Sequence, residues 1–197
     1  MKEIVLATRN DNKIREIKNL LKDINIKFLS LRDFPSFPPV PETATSYTEN
    51  AQLKASAVSK FTGKLALADD SGLEVDFLQG RPGVLSARYA GEGASDEENN
   101  RKLLGELREV PMALRGAAFR CVLALVAPSN KKETVEGECR GVIALEPRGE
   151  GGFGYDPLFY LPKFNKTFAE LSPEEKNQVS HRAQAAAKLR KIITEYL

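Results

Sequence analysis

Apolar residues recur along this chain with two different periods, and the periods mark out its elements. "EIVLA" (residues 3–7) is a continuous apolar run and reads as a buried strand. "TRNDNK" then opens a helix on which Ile14, Ile17, Leu21 and Ile24 share one face. "IKFLSL" is a short strand. "RDFPSFPPVPETA" is a loop, because its prolines cannot continue a helix or a central strand. Thr45 to Phe61 return to helical spacing, with Tyr47, Ala51, Ala55 and Val58 on one stripe. In "LALADDSGLEVD", Leu65 and Leu67 alternate up to two adjacent carboxylates, Asp69 and Asp70. A Ser-Gly turn is expected next, then a second alternating run through Leu73, Val75 and Phe77.

"GRPGVLSARYAGEGAS" is glycine-rich loop. Ser95 and Glu98 have the spacing of a capping box for a helix through Leu107. "AAFRCVLALVA" and "TVEGECRGVIALE" are long alternating strands joined by "PSNKKE" as a hairpin. "GEGGFGYDPLFYLP" is a glycine-rich loop entering an aromatic strand. Ser172, Pro173 and Glu175 start another capped helix. A last helix over about Ser180 to Tyr196 turns Val179, Ala183, Ala186, Ile193 and Tyr196 inward. Helices mixed with strands, one pair of them necessarily antiparallel, predict an α/β fold with a mixed sheet. The whole chain, 1–197, is expected to form one domain, or two lobes sharing one sheet.

Composition narrows the functional classes. With 42% hydrophobic and 28% charged residues the chain is an ordinary globular protein. A net charge of +2 and the absence of tryptophan argue against a nucleic-acid binder. No apolar run approaches the ~20 residues needed to span a bilayer, and "MKEIVLATRN" enters a strand pattern at once, so no membrane partner and a cytoplasmic location are expected. Cys121 and Cys139 are expected as reduced, buried thiols. His181 is the single histidine, which excludes a multi-histidine zinc site.

Candidate chemistry collects where strands end and helices begin, the usual ligand position in α/β proteins. Thr8 to Lys13 link the first strand to the first helix, whose N-terminus is a natural phosphate seat. Thr8, Asn10 and Asn12 add hydrogen-bonding groups. Lys13 lies in the first turn, where it opposes the helix dipole and hints at an anionic partner. An ordinary N-cap with a solvated lysine explains the same residues. Asn50 and Lys54 lie one turn apart, off the apolar stripe, and would equally serve as a solvated face. Asp69 and Asp70 suit a hard cation such as Mg2+, or a water that one of them positions or deprotonates; an ordinary turn is the plainer explanation. "GGFGYDP" puts Phe153 and Tyr155 beside flexible backbone and Asp156, a place for a flat base. Lys176, Ser180, His181 and Arg182 gather at a helix start. Together these features read as a nucleotide polyphosphate site.

The ordered set "VLATRNDNKIREI", "SYTENAQLKA", "ALADDSGLEVD", "GRPGVLSARYAG", "GGFGYDPLF" and "EEKNQVSHRAQA" closely resembles the inosine triphosphate pyrophosphatase family from about residue 3 to 190. The resemblance implies hydrolysis of ITP, dITP and XTP to the monophosphate and pyrophosphate with Mg2+. It implies an elongated mixed sheet flanked by helices, two lobes with the site in a central cleft, and a homodimer. It makes Asp70 the catalytic proton acceptor and a metal ligand, and Glu42 a further ligand, with Asp69 a candidate beside them. Ser71 becomes a substrate contact. Thr8, Arg9, Asn10, Asp11, Asn12 and Lys13 become the phosphate loop, with Lys54 beside it. Phe153, Gly154, Tyr155, Asp156, Lys176, His181 and Arg182 become the base-binding positions. The family's first loop is often Thr-Gly-Asn with a glycine before the lysine, where this chain has Arg9 and Asn12. Asparagine tolerates left-handed backbone; Arg9 must take a less strained conformation. A binding module without turnover and a phosphatase releasing orthophosphate are the alternatives that a product assay separates.

Overall fold

The computed structural model describes residues 2–196. Seven strands form one mixed sheet in the order β2-β1-β3-β4-β5-β6-β7. β1 (Lys2–Leu6) lies parallel to β2 (Ile26–Ser30) and to β3 (Leu65–Val75). β4 (Gly116–Val126) and β5 (Lys132–Ile143) are the hairpin that alternation predicts; Asn130 takes a left-handed conformation in its turn. The short β6 (Phe159–Leu161) and β7 (Lys166–Thr167) continue the sheet antiparallel. The helices are α1 (Asp11–Leu20), α2 (Tyr47–Thr62), α3 (Asp96–Glu106), α4 (Pro173–Val179) and α5 (His181–Ile193). Among the described residues no helix is long and apolar enough to cross a membrane.

Helix boundaries follow from capping chemistry. Asn10 caps α1 by accepting from the N–H groups of Asn12 and Lys13. Ser95 with Glu98 and Ser172 with Glu175 form reciprocal capping boxes on α3 and α4. Gly63 ends α2 in the left-handed conformation (φ 65°) that a side chain would resist.

One expectation is corrected. The acidic segment is no turn between two strands: β3 runs unbroken through Asp69, Asp70, Ser71 and Gly72 for eleven residues. Turn-forming residue types are overridden by the sheet: β1 pairs with β3 over Leu65–Leu67, and beyond that pairing β3 keeps its extended course as the neighbour of β4.

The chain divides into two compact units. The first comprises 1–70, 121–137 and 182–197; the second comprises 71–120 and 138–181. In the first unit, one core packs Ile4, Leu6, Leu67, Cys121 and Leu123 with Ile17 of α1 and Ala186 of α5. A second core packs Val5, Ala66, Ala68, Val122 and Ala124 with Ala51, Ala55 and Val58 of α2. In the second unit a single core gathers Leu73, Val75, Leu103, Phe119, Tyr155, Phe159 and Phe168. Arg115 is buried there and, among the described residues, meets no carboxylate. It donates to the carbonyls of Leu107, Val110 and Ala144, so a cation meets the C-terminal end of α3.

The core of the second unit is tight at Gly141 of β5. A Cβ there would lie 2.7 Å from the Phe159 ring and 2.8 Å from the Tyr160 carbonyl oxygen. The expected cost of Gly141→Ala is about 1–3 kcal/mol of overpacking strain, read as a lower denaturation midpoint in urea. A variant as stable as the parent would contradict this packing.

Candidate active site

Strand geometry settles what two adjacent aspartates do at one place. Successive side chains of a strand point to opposite faces. Leu65, Leu67 and Asp69 face the core shared with α1 and α5; Ala66, Ala68 and Asp70 face the core shared with α2. The two carboxylates therefore have separate environments and separate cations.

On the α2 face, Lys54 is the hub. Its Nζ donates to Asp70 Oδ1 (2.6 Å), Glu42 Oε1 (2.9 Å) and the carbonyl oxygen of Asp69 (2.9 Å). Asn50, one turn earlier, accepts from the Ala44 N–H and donates to the Ala44 carbonyl. It thereby fixes the proline-rich loop that carries Glu42. Neither Asn50 nor Lys54 forms a solvated face: both are buried. Their spacing showed that they share a face, but not that the face is covered.

Burial pushes the Asp70 carboxyl above its ordinary range, and the Lys54 ammonium only partly offsets this. Burial works against the charge on Lys54, but Asp70 and Glu42 outweigh it and hold the ammonium protonated. Oδ2 of Asp70 accepts no hydrogen bond among the described residues. Asp70, Glu42 and Lys54 together carry one net negative charge.

The other face is closed. Asp69 has a side chain 0% exposed, with Oδ1 2.6 Å from Lys13 Nζ and Oδ2 2.7 Å from Arg182 Nε. Cys121 donates its thiol to Oδ2. Arg182, 2% exposed, also pairs with Glu16 of α1. Burial alone would raise the Asp69 carboxyl, but Arg182 and Lys13 hold it well below the usual range. Asp69 is thus an enclosed anion that ties β3 to α1 and α5. Both its oxygens face cations already supplied by the chain, unlike those of an open metal ligand. Arg182, expected near a base, is buried in this ion-pair cluster.

The first loop is less open than its sequence suggests. The Asn10 carboxamide already takes the N–H groups of Asn12 and Lys13. Thr8 Oγ1 accepts from the Asn10 N–H. Asp11 pairs with Arg32, and the Asn12 carboxamide accepts from Arg15. Arg9 donates to the Phe37 carbonyl in the proline-rich loop. Positive φ among the described non-glycine residues occurs only at Gln79, Asn130 and Asn165, so Arg9 and Asn12 need no left-handed backbone. These bonds use acceptor oxygens, so the Thr8 hydroxyl and the Asn10 and Asn12 amide groups keep donors for an anion, while the Lys13 ammonium, 18% exposed, also pairs with Asp69. Ser71 follows Asp70 on β3, half-buried.

The second unit holds the glycine loop. Asp156 Oδ2 accepts from the Phe153 N–H (2.9 Å) and from Lys176 Nζ (2.6 Å). A Cβ on Gly152 would lie 2.0 Å from that carboxylate, so only glycine lets the loop close over it. Lys176 Nζ sits 5.2 Å from the centroid of the half-buried Phe153 ring. Tyr155, the other expected stacking face, is a core residue whose hydroxyl donates to the Ser86 carbonyl. His181 is buried, stacked on Phe119 at 4.8 Å. Two residues missed in the sequence hold Gly154: Asp96 Oδ2 accepts from its N–H (2.6 Å) and Asn100 donates to its carbonyl (2.9 Å). Their i, i+4 spacing on a capped helix was the available signal.

The fold and these clusters define an α/β protein with an acid–lysine centre and an aromatic, lysine-bearing glycine loop. The chain belongs to the Ham1 family, whose sequence profile matches residues 4–192. It is 52% identical to a dITP/XTP pyrophosphatase of Desulforamulus reducens, over 97% of this chain and 95% of that protein. It is 56% identical to one of Geobacillus kaustophilus, over 96% and 93%. The structure of a Ham1 protein from Coxiella burnetii superposes with a TM-score of 0.89 at 46% identity, covering 99% of this chain and 100% of that one. The mixed seven-stranded sheet is the fold of these proteins, and the resemblance seen in the motifs is borne out at the level of family.

Removing one partner of a buried ion pair strands the other charge. Arg182→Met is therefore expected to cost about 3–5 kcal/mol in urea unfolding. A loss below about 1 kcal/mol with a raised KM would instead make Arg182 a ligand contact.

Proposed function

We propose that this protein hydrolyses the non-standard purine nucleoside triphosphates ITP, dITP and XTP to the monophosphate and pyrophosphate, clearing them from the nucleotide pool. The observation that carries the reading is the Asp70–Lys54–Glu42 centre: two carboxylates on one ammonium at a strand otherwise lined with alanine. The names of full-length relatives supply the substrate class.

Lys13 and Lys54 bind the polyphosphate. Oδ2 of Asp70 holds a water in line with the α-phosphorus and accepts its proton, a task suited to a carboxylate with a raised pKa. Attack at that atom expels pyrophosphate without a covalent enzyme intermediate. Asp70 and Glu42 would hold Mg2+. Their donor set fits a cation that takes one or two protein carboxylates and completes its shell with water and phosphate. Bound there, Mg2+ supplies charge neutralisation on phosphate oxygens.

The base stacks on Phe153. Lys176, pinned by Asp156, donates to the 6-oxo group. Adenine presents an amino group at that position, which cannot accept this bond, at a cost of about 1–3 kcal/mol. The buried thiols Cys121 and Cys139 support a reducing, cytoplasmic setting. A homodimer is part of the proposal, supported by the family resemblance.

The test incubates the protein with ITP, XTP, GTP and ATP, with and without Mg2+, and separates pyrophosphate from orthophosphate. Pyrophosphate from ITP and XTP, with little from ATP or GTP, is expected only with metal. Orthophosphate release would move the attack to the terminal phosphorus and refute the assignment.

A further inference from the structure

We propose that Asp96 and Asn100 are positioning residues for base recognition, acting through the peptide of Gly154. This rests on the reading of residues 153–156 as the base loop. Gly154 sits at φ 62°, between the ring that would stack on a base and the core residue Tyr155. Its two backbone polar groups are held by one helix. Asp96 in the first turn of α3 accepts from its N–H at 2.6 Å, and Asn100, one turn on, donates to its carbonyl at 2.9 Å. A backbone held at both its donor and its acceptor cannot rotate about either neighbouring bond without breaking a hydrogen bond. Phe153 is held from the other side, where its N–H meets Asp156. The ring is thus fixed at both flanking peptides before any base arrives, which lowers the ordering cost of binding.

A second observation separates this role from ordinary surface capping. The Oδ1 atom of Asn100 is buried and has no hydrogen-bond partner. An orphaned buried acceptor is unfavourable, and an apolar residue would avoid it. Its amide is retained where the Gly154 carbonyl needs a donor. Asn99, its neighbour on α3, spends both ends of its amide on the Ala87 carbonyl and the Ala90 N–H, so α3 also fixes the loop before it.

The pattern of donor and acceptor gives a test that charge alone does not mimic. Asp96→Ala and Asn100→Asp each remove one bond; the second is isosteric but turns an acceptor toward the Gly154 carbonyl. Asp96→Asn keeps an acceptor oxygen. The readouts are KM and kcat for ITP with Mg2+, inhibition by tripolyphosphate, which has no base, and thermal unfolding. The first two variants are expected to raise KM for ITP about tenfold, with kcat within about twofold and tripolyphosphate inhibition unchanged. Asp96→Asn is expected to restore KM. Unchanged KM in both disruptive variants would overturn the proposal. So would tripolyphosphate inhibition weakened in step with ITP, or Asp96→Asn as impaired as Asp96→Ala. Wild-type protein that neither binds nor hydrolyses ITP would overturn the functional reading itself, which the variants then cannot rescue.

Discussion

Everything distinctive in the first unit depends on the two-residue period of one strand. β3 carries Asp69 and Asp70 in sequence, and the pleat sends them to opposite faces. In a turn the same pair would share one solvent space and repel. In a central strand they are separated by the backbone, and each meets its own cations: Lys13 and Arg182 for Asp69, Lys54 for Asp70. The consequences diverge. Asp69 is neutralised and depressed in pKa, a structural anion. Asp70 shares its cation with Glu42, is raised in pKa, and keeps an oxygen that accepts no hydrogen bond among the described residues. Neighbouring residues of one strand thus supply a closed tie between elements and the carboxylate proposed to react.

The pH response of the two groups follows with opposite signs. A depressed folded-state pKa means that the Asp69 contribution to stability is present above the ordinary carboxylate range and lost as pH falls through the folded value. A raised one means that ionised Asp70 costs stability, a cost that grows as pH rises through its folded value.

Much of this was legible in the chain. The alternating hairpin, the capped helix starts and the apolar stripes of α1 and α2 stand where their periods put them, because each is specified locally. The unbroken course of β3 was not, since Asp-Asp-Ser-Gly favours a turn and only its neighbours in the sheet overrule it. Lys54 stands out as a candidate, but its burial does not, because the loop that Asn50 holds and the carboxylates of Glu42 and Asp70 enclose it through side-chain contacts that leave no periodic pattern. Arg182 has the residue type of a ligand contact, and sequence cannot see that Asp69, 113 residues away, claims it. Tyr155 and Phe153 look equivalent in "GGFGYDP", yet one turns into the core and the other stays half-buried.

The division of labour on β3 is the central claim, and a matched pair of isosteric substitutions tests it most directly. Asp69→Asn and Asp70→Asn are compared for urea unfolding and for ITP turnover. Asp69→Asn is expected to lose about 3–5 kcal/mol of stability, since buried Arg182 loses its main counter-charge. Asp70→Asn is expected to unfold close to wild type while losing most turnover. An Asp69→Asn protein as stable as wild type, or an Asp70→Asn protein that turns over ITP at the wild-type rate, would contradict the account.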